Sequence, residues 1–135
     1  MALFNWSDRY SVHVKAMDDQ HKHLIGILNN LHEAMMKGQG QTVTGPLLAE
    51  LVEYTGTHFA AEERIMEGAK FPTLAAHRAH HHDLTRQVED FVAHYNRGEA
   101  ALNVNLLNFL RDWLNNHILK EDKEYSPWLN EHGVH

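Results

Sequence analysis

The sequence predicts an all-α fold, an up-down-up-down antiparallel four-helix bundle with an extended N-terminal arm. Three observations carry this expectation. Apolar residues recur at helical spacing in four blocks. The connections between the blocks are short, which suits antiparallel neighbours. No stretch alternates as a strand does, and no repeat or low-complexity run interrupts the pattern. The chain has 135 residues, which fits one domain over 1–135. A chain of this size buries roughly 68% of its surface on folding, enough for one core.

The elements follow in order. Residues 1–17 hold Phe4, Trp6, Tyr10 and Val12 without helical period, so an arm laid on the bundle is expected there. The first helix spans about 18–37, with His21, Leu24, Ile25, Leu28, Leu31 and Met35 on one face and Gly38-Gln-Gly40 after it. The second spans about 46–67. Pro46 suits a first turn, the stripe is Leu48, Leu51, Val52, Thr55, His58, Phe59, Glu62 and Ile65, and Gly68 is the expected cap. The third spans about 73–97, with Leu74, His77, His81, Leu84, Val88, Phe91, Val92 and Tyr95 on its stripe and Gly98 closing it. The fourth spans about 103–125, with Leu106, Phe109, Leu110, Trp113, Leu114, His117 and Ile118, and Pro127 is expected to stop it.

Composition excludes several classes of function. The chain is 43% hydrophobic and 22% charged, the balance of a folded protein. Its net charge is −6 with no basic patch, so nucleic acid is not an expected partner. Mean hydropathy is −0.50 and no run of 18 apolar residues occurs, so no membrane insertion is expected. The first residues lack a basic region and an apolar region of the secretory kind, which gives a cytoplasmic expectation. There is no cysteine, which removes disulfides, thiolate metal sites, iron–sulfur clusters and cysteine nucleophiles. Histidine is the outlier, with 13 against 12 lysines and arginines together. Surplus imidazole without cysteine predicts a metal site of nitrogen and oxygen ligands, and the dispersal of the histidines argues against a tag.

The positions of the histidines sharpen that expectation. His58 and Glu62 are four apart, one turn on one face, and His77 and His81 repeat the spacing. His117 and Asp122 are five apart, which an ideal α-helix would separate by about 140°. A π-type bulge or local distortion is therefore expected between them. The start of helix one, the end of two, the start of three and the end of four share one end of such a bundle. His21, His58, Glu62, His77, His81, His117 and Asp122 all fall on the inward stripes near that end. A lone imidazole in a core is ordinarily just a hydrogen-bonded side chain. Five of them with two carboxylates at one level would cost several kcal/mol each without a compensating charge, and a metal removes that cost. The other eight, His13, His23, His32, His80, His82, His94, His132 and His135, lack ligand spacing and are expected at the surface or in support of the ligands.

These motifs resemble the hemerythrins, in their single-domain bacterial form, over essentially the whole chain. The resemblance rests on His21 after Asp18-Asp-Gln, His58-Phe-Ala-Ala-Glu62, His77-Arg-Ala-His-His81 and His117-Ile-Leu-Lys-Glu-Asp122. It implies two iron ions, oxo- or hydroxo-bridged. His77, His81 and His117 would bind one, His21 and His58 the other, and Glu62 and Asp122 would bridge both. It also implies O2 as the ligand, bound reversibly at the less coordinated iron for transport, storage or delivery, with no enzymatic turnover. Five imidazole nitrogens, four carboxylate oxygens and two bonds to a single-atom bridge fill eleven of twelve positions on two six-coordinate metals and leave one open. Such ligation suits iron among redox metals, although ligand type alone leaves zinc and manganese open.

The main rival class is an O2-activating di-iron enzyme or a ferritin-like iron oxidase. Those bundles use four carboxylates and paired Glu-x-x-His motifs, and this sequence has no Glu-x-x-His. Leu24, Phe59, Trp113, Leu114 and Ile118 lie within a turn of the ligands and match apolar O2-pocket positions of the family. Each also reads as ordinary core packing. The alternative function is an O2, redox or nitric oxide sensor, or an iron-handling protein, acting through an unidentified partner. For a carrier, an oxygen-consuming enzyme is the expected recipient, and a monomer is the expected state.

Overall fold

The computed structural model describes residues 4–38, 41–98 and 104–135. Among them the structure is helical, with no strand. A single 3-10 turn, Asp8–Tyr10, precedes α1 (Lys15–Met36), α2 (Gln41–Gly68), α3 (Leu74–Asn96) and α4 (Val104–Asn116). A π-helical turn, His117–Asp122, joins α4 to α5 (Lys123–Glu131). The last three segments follow one another without a break, so α4, the wide turn and α5 make the fourth rod of the bundle. Helix α1 packs on α2 and on α4, and α2 packs on α3.

Two apolar clusters lie one beyond the other along the bundle. The larger takes Leu24, Leu28 and Leu31 from α1, Leu48, Leu51 and Phe59 from α2, Val88 and Tyr95 from α3, and Leu107, Leu110, Trp113, Leu114 and Ile118 from the fourth rod. The smaller gathers Val12, Val14, Met17, Met66, Ala69, Phe71, Tyr125 and Leu129 at one end. The buried polar side chains His21, Glu62 and Asp122 lie between the two clusters in sequence, and His58 and His117 stand at the near edge of the larger one, so a polar layer has apolar residues on both sides.

Several element bounds differ from those expected. The arm is shorter than 1–17 and partly helical, because α1 begins at Lys15 and Asp8–Tyr10 forms a turn. Asp18 explains the early start: its carboxylate accepts from Val12 N at 2.8 Å and Ser11 Oγ at 2.6 Å, which ties the arm to the first turn. Asn29 pairs with both backbone groups of Phe4, and Tyr10 Oη donates to Asn115 Oδ1. Helix α2 begins at Gln41, so Pro46 is inside it rather than at its start. Thr44 is buried there and hydrogen-bonds Tyr95 Oη, which anchors the turn before the proline.

The fourth rod passes through Pro127 to Glu131. A proline inside a helix removes one ladder bond. Tertiary contacts offset that loss: Tyr125 and Leu129 are buried, and Trp128 Nε1 donates to Ala69 O at 2.7 Å. Helix α2 ends at Gly68 as expected, but the left-handed residue that closes it is Lys70 (φ 56°), and Phe71 N returns to Met66 O at 2.9 Å. Gly38 and Gly98, at φ 67° and 75°, end α1 and α3 as expected. Phe109 is 43% exposed and off the buried stripe, about 100° round the helix from Leu110. Gln39, Gly40 and the expected helix start at Asn103 lie outside the described residues, as do residues 1–3.

Candidate metal centre

All seven expected ligand residues meet in the polar layer. His21 comes from the second turn of α1, His58 and Glu62 from successive turns of α2, and His77 and His81 from successive turns of α3. His117 and Asp122 open and close the wide turn. Each is buried, and the most exposed, His77, retains 5% of its surface. The π-helical turn expected from the five-residue spacing is present: it returns Asp122 to the face of His117, with Nε2 and Oδ2 at 3.0 Å.

The imidazole Nε2 atoms converge on the two carboxylates. Glu62 Oε1 lies 3.0 Å from His58 and 3.4 Å from His81. It also lies 3.3 Å from His117. Asp122 Oδ2 lies 2.8 Å from His21, while Oδ1 lies 3.2 Å from His77. By mutual distance, His21, His58, Glu62, His117 and Asp122 form one group, and His77, His81 and Asp122 a second, each with ligand atoms within 4.8 Å of one another. Asp122 belongs to both. The His117 ring, although in the first group, is nearer His81 at 5.2 Å than His58 at 6.2 Å or His21 at 6.3 Å.

The outer nitrogens are held by residues that the sequence reading did not single out. His58 Nδ1 is 2.6 Å from Gln20 Oε1, and His81 Nδ1 is 3.1 Å from Glu63 Oε2. Both partners are acceptors, so each Nδ1 carries the proton and each Nε2 presents a lone pair. Glu63 is in turn held by Arg78, whose Nε donates to Oε1 at 3.1 Å and whose Nη2 reaches Glu67 at 3.2 Å. Tyr125 Oη donates to Glu62 Oε2 at 2.7 Å. Only adjacency marked these residues in sequence: Gln20 precedes His21, Glu63 follows Glu62, and Tyr125 stands one turn past Asp122.

This arrangement fits a bound cation. His58 Nε2 and Glu62 Oε1 are two lone-pair atoms at 3.0 Å, both buried. They repel unless a positive charge lies against them. A second proton on His58 is disfavoured, because burial holds that imidazole below its ordinary pKa against the pull of Glu62. The nitrogens His21 Nε2, His58 Nε2 and His81 Nε2 and the oxygen Asp122 Oδ2 lie near other polar atoms, yet none has hydrogen-bond alignment with a partner. Metal ligands leave this signature, since lone pairs aim at the ion and not at each other. Burial alone would raise the Glu62 pKa, but the imidazoles that face it, His58 first and then His117 and His81, hold it well below the ordinary range. Asp122 is likewise held low against burial and the Glu62 charge, by His117 and His21.

The expected pocket residues Leu24, Phe59, Trp113, Leu114 and Ile118 are all buried and belong to the larger apolar cluster. Phe59 stacks flat on His81, with centroids at 3.9 Å and planes within 1°, and meets Trp113 at 6.3 Å. The group is not wholly apolar: Trp113 Nε1 is buried with no hydrogen-bond partner. Of the eight other histidines, none is buried.

Comparison with known proteins agrees with this geometry. The family model for the hemerythrin HHE cation binding domain matches residues 12–129. The bacteriohemerythrin of Methylococcus capsulatus is 37% identical over 96% of this chain and 99% of its own length. That of Stenotrophomonas maltophilia is 36% identical, over 98% of this chain and 85% of its own. A crystal structure of wild-type hemerythrin superposes with a TM-score of 0.89 at 36% identity, covering 95% of this chain and 98% of that one.

Proposed function

The chain belongs to the hemerythrin family, and from that membership we propose that it binds O2 reversibly at a pair of iron ions, for transport, storage or delivery. One observation carries the dinuclear reading: the two oxygens of Asp122 face different imidazoles, His21 and His77, of two ligand groups. A carboxylate so placed suits a bridge. Glu62, between His58 and His81, would be the second bridge. His77, His81 and His117 would hold one ion, in keeping with the nearness of the His117 and His81 rings, and His21 and His58 would hold the other. The bound pair supplies the two electrons that O2 takes on binding and returns on release.

The protein's own groups do the rest. Gln20 and Glu63 fix the tautomers of His58 and His81, so each offers Nε2 as a neutral ligand without rearrangement. Tyr125 holds Glu62 by its free oxygen, so Oε1 stays turned towards the imidazoles. Leu24, Leu114 and Ile118 have no accessible surface, and with Phe59 and Trp113 they exclude water from the ligand side of the layer. Excluding water slows the loss of bound O2 as a charged species, which is poorly solvated there. None of these side chains is a general base, which favours binding over turnover.

The test is an absorption spectrum of the purified protein, then with dithionite, then with air. An iron charge-transfer band that disappears on reduction and returns altered with air is the expected result. A protein that carries iron but whose spectrum is indifferent to air after reduction would refute O2 binding. Slow autoxidation of the air-treated form is expected of a carrier, and fast autoxidation would point to a sensor.

A further inference from the structure

Two surface cavities reach the polar layer, and the two ligands they reach are held differently. One cavity, of about 350 Å³, is lined by Phe59, Glu63, Arg78, His81 and His82 among others. There His81 is fixed on two sides: Phe59 stacks on its ring, and Glu63, itself held by Arg78, takes its Nδ1. The other cavity, of about 280 Å³, is lined by Thr73, Ala76, His77, His80 and Glu124. His77 Nε2 faces Asp122, and no described residue bonds its Nδ1. His77 keeps 5% of its surface exposed and lines this cavity. His80 lies one turn beyond His77 on α3, and Glu124 lies two residues beyond Asp122, both exposed.

From this contrast we propose that the cavity bounded by His80 and Glu124 is the port through which ferrous ion enters and leaves the centre. The proposal rests on the iron-binding reading above. His77 makes edge and tilted contacts with Phe71, His81 and Tyr125, but no ring is stacked flat on it and no hydrogen bond from a described residue holds its outer nitrogen, so of the two cavity-lining ligands it is the less firmly held. An exposed imidazole and an exposed carboxylate at the mouth are the donor types that hold a hydrated divalent cation in transit. On leaving, the ion exchanges its bond to His77 Nε2 for bonds to the Glu124 carboxylate, the His80 imidazole and water. No electron moves, and the ion stays ferrous throughout. His21, His58, Glu62, His117 and Asp122 are each 0–1% exposed, and none of them lines either cavity.

The experiment follows iron release from the reduced, full-length iron protein into excess ferrous chelator without air. The variant pair is His80→Ala with Glu124→Gln, and His82→Ala is the control on the other cavity. The port predicts that the paired variant releases iron about tenfold more slowly, the change expected if loss of the assisting ligands raises the barrier by about 1.4 kcal/mol. Iron content at equilibrium, the air-treated spectrum and the melting temperature should be unchanged. His82→Ala should release at the parent rate. Unchanged or faster release from the paired variant overturns the proposal, and faster release would assign those residues a structural role. Equal slowing by His82→Ala overturns it too. Failure of the di-iron reading would show separately, as a parent protein that holds fewer than two irons at the outset.

Discussion

Tyr125 sits far along the chain from His21 and His58, yet it decides how Glu62 is oriented. Burial, then the charges of Glu62 and Asp122, push its phenol well above the ordinary tyrosine range, so it remains a donor at any working pH. Tyr125→Phe should leave a buried carboxylate oxygen without its donor and cost about 1–3 kcal/mol. A denaturant titration would read this as a lower midpoint, with iron given up to chelator more readily. An unchanged midpoint and iron affinity would remove Tyr125 from the site. The apolar residues act differently. Leu24, Leu114 and Ile118 touch the layer without ligating, so each replaced by alanine should keep its iron but autoxidise faster. Each should also lose about 2–5 kcal/mol through the cavity created. Decay of the air-treated absorption band, with iron assayed in parallel, checks this. Parent-like decay in all three would mean that these side chains do not guard the bound O2.

At the scale of the element, the wide turn His117–Asp122 is the feature on which the fourth rod depends. A regular helix would place Asp122 about 140° from His117, outside the layer. The extra residue in the turn brings it back and keeps Tyr125 and Leu129 on the buried side. Inserting an alanine after Leu119 should rotate everything after it by about 100°, because the turn already accommodates its one extra residue. Iron content should then fall below two per chain while far-ultraviolet circular dichroism stays helical. Retention of two irons after the insertion would show that this spacing is not what sets Asp122. Pro127 makes the same point from the other side: its missing ladder bond is tolerated because Trp128 is anchored on Ala69, just past α2, and Leu129 in the end cluster.

For the whole molecule, the polar layer couples folding to pH and to metal. Glu62 and Asp122 titrate below the ordinary carboxylate range when folded, and His58 below the ordinary imidazole range. In each case the unfolded chain binds protons more readily than the folded one. Stability present at neutral pH is therefore lost on acidification, first below about pH 6.5 for the imidazole and then below about pH 4 for the carboxylates. Iron must compete with the same protons, so it should be released between about pH 6 and pH 4, with melting temperature falling in step. The iron-loaded protein should melt above the iron-free protein at neutral pH, because a ligand bound only by the folded state stabilises it. Equal melting temperatures would contradict the coupling.

The chain's periodicity is enough to specify four amphipathic rods, and the offsets of His58, Glu62, His77 and His81 put ligands on their inward faces. Both properties are local: 3.6 residues per turn converts spacing into direction without reference to the rest of the molecule. The odd spacing of His117 and Asp122 is local as well, and it contains its own remedy in a widened turn. The partners of the outer nitrogens were not legible in this way. Gln20, Glu63, Arg78 and Tyr125 are ordinary polar residues by pattern, and their roles arise only where α1, α2, α3 and the fourth rod meet. The ends of the elements were equally out of reach. Pro46 and Pro127 are helix breakers by propensity, and they are overruled by Thr44 on Tyr95 and Trp128 on Ala69, contacts across 51 and 59 residues. Which ligand is clamped and which faces an open cavity is likewise a tertiary matter. His77 and His81 have the same spacing and helix, and only their neighbours on α2 and α5 distinguish them, because packing depends on what lies opposite a residue and not on its place in the sequence.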